Sequence, residues 1–429
     1  NDNTGVYKLY HSATGQIVAN KDAAVTGADG SITLDVYTDA VPAAAAERFK
    51  YVPSGVVLSV KAADMAQLPM LHTKQLVLVQ ENAQGQVQNA STAQVAGALD
   101  DLYAAAKDVP DLGATVNNGS TQFKLWAPTA QKVSVFTYAS GTSRAEAGAA
   151  MTFDATTGVW SSTMAGDQTG KYYAYSVEVF VRGVGLVRNL VTDPYSVSLT
   201  TDSKRSYIAD LSSAALKPEG WDASLPPAKV AAQTDMSIYE LHVRDFSRDD
   251  PGVRPDWRGK YLAFAESGSH GKRHLRALAR MGVTDIHLLP VFDLATVPEQ
   301  ACAQPTIPKA APNSPLQQAA VMAVAEQDCF NWGYDPFHFN APEGSYATNA
   351  DDPAVRVREF RRMVQELHRI GLRVGLDKVY NHTTAAGQSA RSVLDRIVPG
   401  YYHRLNAAGE VERSTCCDNT ATEHRMMAK

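Results

Sequence analysis

Short runs of alternating apolar and polar residues, "SITLDVYTD", "GVVLSVKAAD" and "QLVLVQEN", fill residues 1–110 and are punctuated by Gly, Asn, Asp and Pro. A period of two predicts half-buried strands, and the Ala-rich "VAGALDDLYAAAKD" predicts a helix that closes a small β domain. Residues 111–212 repeat the pattern more strongly. "TQFKLWAPTAQKVSVFTY" predicts two strands around Pro128 and "GKYYAYSVEVF" a third, the makings of a second β sandwich with Trp126 and Trp160 in its core rather than on a binding platform. A Pro-, Ala- and Lys-rich linker covers 213–235.

From 236 to 429 the period changes. "MSIYELHVRDF" reads as a strand, and "HGKRHLRALARMG" as a helix with Leu275, Leu278 and Met281 on one side and Gly282 as its stop. "VTDIHLLPVF" is apolar almost throughout, as a buried parallel strand requires. After an insertion at 294–352, Asp352 and Pro353 open a helix with Val357, Phe360, Val364, Leu367 and Ile370 on one face, ended by Gly371, and "LRVGLDKV" supplies a third strand. This order predicts the first part of a (β/α)8 barrel, three βα units at most, behind two all-β modules. Three strands cannot close a barrel. Thr420 and Glu423 form a capping-box pattern, and the helix they predict has no stop signal, so the chain is expected to be the N-terminal part of a longer protein.

Composition narrows the function. Forty basic residues against 45 acidic ones give a net charge of -5 with no basic block, which argues against nucleic acid and anionic membranes as partners. No apolar run is long enough to span a bilayer. Cys302 and Cys329 bracket the Pro-rich part of the insertion and are candidates for a disulfide; adjacent Cys416 and Cys417 are either a vicinal disulfide or two thiols. Asn1 stands where an unprocessed chain has Met, so a signal peptide is expected to have been removed or left out.

In a barrel, chemistry sits at the C-terminal strand ends. The aromatic-rich "FNWGYDPFHFNAPEGSYATN" and the strand end "DKVYNHT" both fall there, bringing Asp377, Asn381 and His382 to one rim. "YELHVRDFS", "NWGYDP" and "DKVYNHT", in that order, resemble the α-amylase superfamily, glycoside hydrolase family 13, and within it the type I pullulanases. "FKLWAPTAQKVSVF" with "VTDPYSVSL" resembles the family 48 carbohydrate-binding module, while "WRGKYLAF", "LLPVFDLATV", "PEGSYATN" and "SVLDRIVPGYYHRLN" resemble the secreted, Gram-negative branch.

The resemblance implies hydrolysis of α-1,6 branch linkages in pullulan, amylopectin and related α-glucans by a retaining mechanism, with an α-glucan as partner and a secreted or cell-surface destination. It implies that Tyr334 stacks on a glucose, that His382 hydrogen-bonds the same sugar, that Asp335 and Asp377 orient neighbouring polar groups, and that Asn381 holds the loop, with a structural calcium ion as an open option there. Trp332 is expected to pack beneath the cleft. Phe330 stands where the family usually has Tyr, and Lys378 where it usually has Val; a buried lysine needs a partner.

A retaining glycosidase needs two carboxylates about 5 Å apart. Neither Asp335 with Asp377 nor Glu343 with Asp377 has the spacing to suggest such a pair, and no G-F-R-F-D stretch occurs. The catalytic residues are therefore expected downstream of Lys429, and this chain alone is expected to be inactive. The alternatives are a non-catalytic glucan-binding fragment, or an isoamylase or branching enzyme of the same superfamily.

Overall fold

The computed structural model describes residues 4–53, 55–117, 119–414 and 416–429; Asn1, and with it the question of processing, lies outside them. Strands β1 (Val6–Ser12), β2 (Gly30–Val36), β3 (Leu58–Val60), β4 (Gln75–Glu81) and β5 (Val87–Thr92) form an antiparallel sheet in the order β3-β2-β1-β4-β5. Period-two alternation gives this sheet two apolar faces. Ile32, Leu71 and Leu76 cluster on one, and Val77, Val79 and Val87 on the other.

The second module holds β6 (Gly113–Asn117), β7 (Ser120–Trp126), β8 (Ala130–Tyr138), β9 (Ala145–Ala150), β10 (Thr152–Asp154), β11 (Val159–Ala165), β12 (Tyr172–Val181), β13 (Gly185–Val191) and β14 (Ser206–Tyr207). Its two sheets run β10-β11-β7-β6 and β13-β12-β8-β9, with β14 added to β12. Along β12, Tyr173, Tyr175, Val177, Val179 and Val181 are all buried. The two tyrosine hydroxyls each donate to Asp193 Oδ2 at 2.9 Å, which satisfies a carboxylate with no access to water. Trp126 is in this core as expected, and Trp160 is half-buried against it with Nε1 donating to the Ala127 carbonyl at 2.9 Å.

That core does not end with the sandwich. Val393, Leu394, Ile397, Tyr401, Tyr402 and Met426 pack into the same cluster, so the modules share buried surface. The linker is likewise pinned: Arg361 donates to the carbonyls of Leu216 and Leu211, and Gln365 to that of Glu219.

In the last region β15 (Ile238–Leu241), β16 (Asp285–Leu288) and β19 (Arg373–Leu376) form a parallel sheet with Leu241, Leu288 and Leu376 in register at its C-terminal edge. Helices His270–Arg280 and Pro353–Arg369 connect the strands. The Asp352 side chain caps the second by accepting from the Ala354 amide at 3.0 Å, and Gly371 leaves it with φ +92°.

Four expectations need correction here. "VTDIHLLPVF" is not one strand: β16 stops before Pro290, and β17 (Phe292–Leu294) pairs antiparallel with β18 (Pro336–Pro342) inside the insertion. Met281 is 73% exposed, because it caps the helix at a point where the amphipathic stripe has already turned from the core. Thr420 and Glu423 do not form a capping box; Thr420 bridges to His403 in extended backbone, and the short final helix starts after His424. Val364 is only half-buried, its place in the core taken by Met363.

Candidate functional site

The site is assembled where β16 and β19 end. Gly333 has φ +94°, and a Cβ there would lie 2.9 Å from both Cβ and O of Pro290. Only glycine lets "NWGYDP" turn this tightly against the strand end. Asn331 fixes the turn by accepting from the Gly333 amide at 2.7 Å, while its own carbonyl accepts from His242 Nε2 at 2.7 Å. Burial pushes the His242 pKa down, so this ring is a neutral strut.

The turn delivers Tyr334 to β19. Its hydroxyl donates to Asp377 Oδ2 at 2.6 Å, and the Asp377 amide continues the sheet ladder by donating to the Leu288 carbonyl at 3.0 Å. That hydrogen bond, with partial burial and the negative field of Asp377 and Glu240, raises the Tyr334 phenol to about 12. Tyr334 stays 39% exposed, so its ring remains open to a ligand. His382, on β20 (His382–Thr383), lies beneath. Its Nδ1 is 3.0 Å from the Asn381 side-chain Nδ2, which can only donate, so Nε2 carries the proton and donates to the Tyr334 carbonyl at 2.8 Å. Both ring nitrogens are thus engaged by protein. Through the second of these bonds His382 holds the Tyr334 backbone in place.

Asp335 faces its own turn, accepting from Asn331 Nδ2 at 2.8 Å on the side chain and from the Ala295 amide at 3.0 Å on the carbonyl. Lys378 finds the partner it needs in the Phe339 carbonyl, with its ammonium 5.4 Å from the Phe292 ring centroid. Phe330 keeps its ring in use, edge-on to Trp332 at 5.4 Å and 5.8 Å from His242.

Trp332 does not pack beneath the cleft: it is 61% exposed, and the other four tryptophans are buried or half-buried. With Tyr334 and with Tyr380, 50% exposed, it gives the rim three open rings. Tyr380 and His242 carried no assigned role in the sequence reading, although both stand at strand ends within quoted motifs. Glu343 is removed from the rim. It is fully buried with Asp293 and Glu299 around Arg356, so it cannot pair with Asp377 across a substrate.

Both cysteine pairs are disulfides. Cys302–Cys329 staples the insertion, and Cys416–Cys417 is vicinal, beside His382. Among the described residues, no helix is long and apolar enough to cross a membrane.

The chain thus sets two β modules ahead of a parallel sheet, with rings and a carboxylate at its C-terminal edge. Comparison makes this specific. Residues 1–101 match the pullulanase N2 domain, and 111–196 match carbohydrate-binding module 48, the isoamylase N-terminal domain. Pullulanase of Klebsiella pneumoniae is 37% identical over 472 residues, covering 99% of this chain and 42% of that protein. Pullulanase 1, chloroplastic, of Arabidopsis thaliana is 38% identical over 428 residues, covering 98% and 43%. Apo Klebsiella pneumoniae pullulanase superimposes with TM-score 0.92 at 36% identity over all of this chain and 50% of that one. A complex of that enzyme with maltotriose gives the same score and identity over 44% of its chain. The chain is similar to pullulanases along nearly all of its length, and it spans less than half the length of these curated relatives.

Proposed function

We propose that the protein hydrolyses α-1,6-glucosidic branch linkages in pullulan, amylopectin and related α-glucans, and that this chain supplies the accessory modules and one wall of the sugar site. The observation that carries the proposal is the exposed Tyr334 ring, its hydroxyl held by Asp377 and its backbone carbonyl by His382. A ring held rigidly over a strand end presents a flat apolar face to a pyranose at little conformational cost. The Klebsiella pneumoniae relative has been solved with maltotriose bound, which supports an α-glucan as the ligand class.

The nucleophile and acid/base belong, in this proposal, to sequence downstream of Lys429 on further strands of a (β/α)8 barrel. Asp377, tied to Tyr334, orients rather than attacks. Two disulfides support an exported, oxidising destination. Among the described residues Asp293, Glu299 and Glu343 converge, and the Arg356 guanidinium supplies positive charge to that cluster.

The test is maltotriose release from pullulan by the protein carrying its downstream barrel sequence, beside binding of maltotriose by the 429-residue chain. Release by the former and binding without hydrolysis by the latter are expected. Activity on amylopectin with none on pullulan would move the assignment to an isoamylase. Absence of binding by this chain would remove the sugar site from it.

A further inference from the structure

The loop beside the rim carries a second possible chemistry. Strand β20 pairs with β21 (Asp418–Asn419), and the Thr420 amide donates to the Asn381 carbonyl at 3.0 Å, which clamps the Cys416–Cys417 turn against His382. One ring nitrogen of His382 and both Sγ atoms lie within 4.8 Å of one another. Cys416 is exposed and Cys417 half-buried, so a reductant can reach them.

We propose that reduction of this vicinal disulfide creates a binding site for a thiophilic divalent cation, with the Cys416 and Cys417 thiolates and the His382 imidazole as ligands and a fourth position open to water. Two thiolates and one imidazole are a donor set that soft and borderline cations favour over hard ones. The site exists only after reduction, because disulfide sulfurs are neutral and weakly donating whereas the metal ligand is the thiolate. The chemistry balances with a phosphine as reductant. The phosphorus attacks one sulfur and breaks the S–S bond, water then supplies the oxygen of the phosphine oxide, and two electrons and two protons leave a pair of thiols. The cation displaces both thiol protons on binding. His382 is already held at the right place by Asn381 and the Tyr334 carbonyl, and it gives up one of those partners to the metal. The proposal does not depend on the glucan reading.

Cadmium is the probe, read by sulfur-to-cadmium charge-transfer absorption after phosphine treatment under exclusion of air. A Cys302→Ser/Cys329→Ser background removes the other pair of thiols, and circular dichroism confirms that each variant is folded. One cadmium per chain is expected in the reduced protein and none in the oxidised protein. Cys416→Ser or Cys417→Ser should abolish the absorption, and His382→Ala should weaken cadmium affinity at least about tenfold. Should the background fail to fold, the otherwise native chain and its Cys416→Ser variant, both reduced, are compared for cadmium bound. Equal absorption in the cysteine variants, or no change in His382→Ala, overturns the site.

Discussion

Tyr334 and Asp377 stand 43 positions apart and share a 2.6 Å hydrogen bond that locks an exposed ring onto the end of a half-buried strand. The bond has two separable parts, the ring as a surface and the hydroxyl as an anchor. Tyr334→Phe should keep the surface and cost about 0.5–1.5 kcal/mol in glucan affinity, the net worth of one hydrogen bond that orders the ring. Tyr334→Ala should cost more, by roughly a further 0.5–1.5 kcal/mol for lost ring contact. Asp377→Asn should bring the phenol of Tyr334 down from about 12 towards the ordinary tyrosine range, visible in an ultraviolet pH titration. Equal affinity in all three variants would show that the ring is not a sugar platform.

Gly333 is the hinge on which that placement depends. Gly333→Ala puts a Cβ into the Pro290 backbone at a positive φ, a conformation that costs an L residue about 1–3 kcal/mol before any clash. We expect lower stability in urea and a larger loss of glucan affinity than Tyr334→Phe produces, because the whole turn must shift. Wild-type affinity in the alanine variant would mean that Tyr334 is placed by Asp377 and His382 alone.

How much of this was readable beforehand follows from the range of the interactions. The helix Pro353–Arg369 was legible at both ends because Asp352, Pro353 and Gly371 act within one turn of themselves. The family resemblance drew attention to Tyr334, Asp377 and His382 through short motifs. The state of His382 was not legible, since it depends on a carbonyl 48 positions away. Trp332 was misjudged because exposure of a ring is decided by what fails to cover it. Glu343 looked like a rim carboxylate only until the fold put Arg356 beside its cluster. Thr420 carried a real local helix signal that lost to longer-range pairing, with its hydroxyl bonded to the Tyr380 carbonyl.

The Arg356 cluster should make stability depend on pH. Its guanidinium Nη2 lies 2.8 Å from Glu299 and its Nη1 3.6 Å from Asp293, while Glu343 accepts from the Leu294 and Ser345 amides at 2.8 Å. Burial pushes both Glu299 and Glu343 well above the ordinary 4.5. A carboxyl whose pKa is raised by folding holds its proton in the folded chain when the unfolded chain has lost it. The folded state then binds more protons, and stability falls as pH rises above the ordinary glutamate value. Melting temperature should therefore drop between about pH 5 and about pH 8, and Glu299→Gln should flatten that drop. Arg356→Met should destabilise by about 3–5 kcal/mol by leaving buried carboxylates without their cation. A melting temperature that rises through this range would contradict the assignment.

Trp126 tests whether the sandwich and the last region are one cooperative unit. The ring is 2% exposed, 4.7 Å from Tyr401 and 5.9 Å from Tyr402, and Tyr401 in turn donates to Asp100, 301 positions earlier in the chain. Aromatic contacts of this kind bridge the second module to the residues after the parallel sheet. Trp126→Ala should cost about 3–5 kcal/mol, the usual range for emptying a large core site. If the shared core couples the modules, that loss will lower the unfolding of both together in a single calorimetric transition. If each module is stable by itself, the transition will split, and only the earlier component will move with the substitution. The split result would also mean that the rim at Tyr334 and Asp377 can be held in place without the sandwich. The single transition would make the carbohydrate-binding module a structural buttress of the sugar site, whatever it binds on its own account.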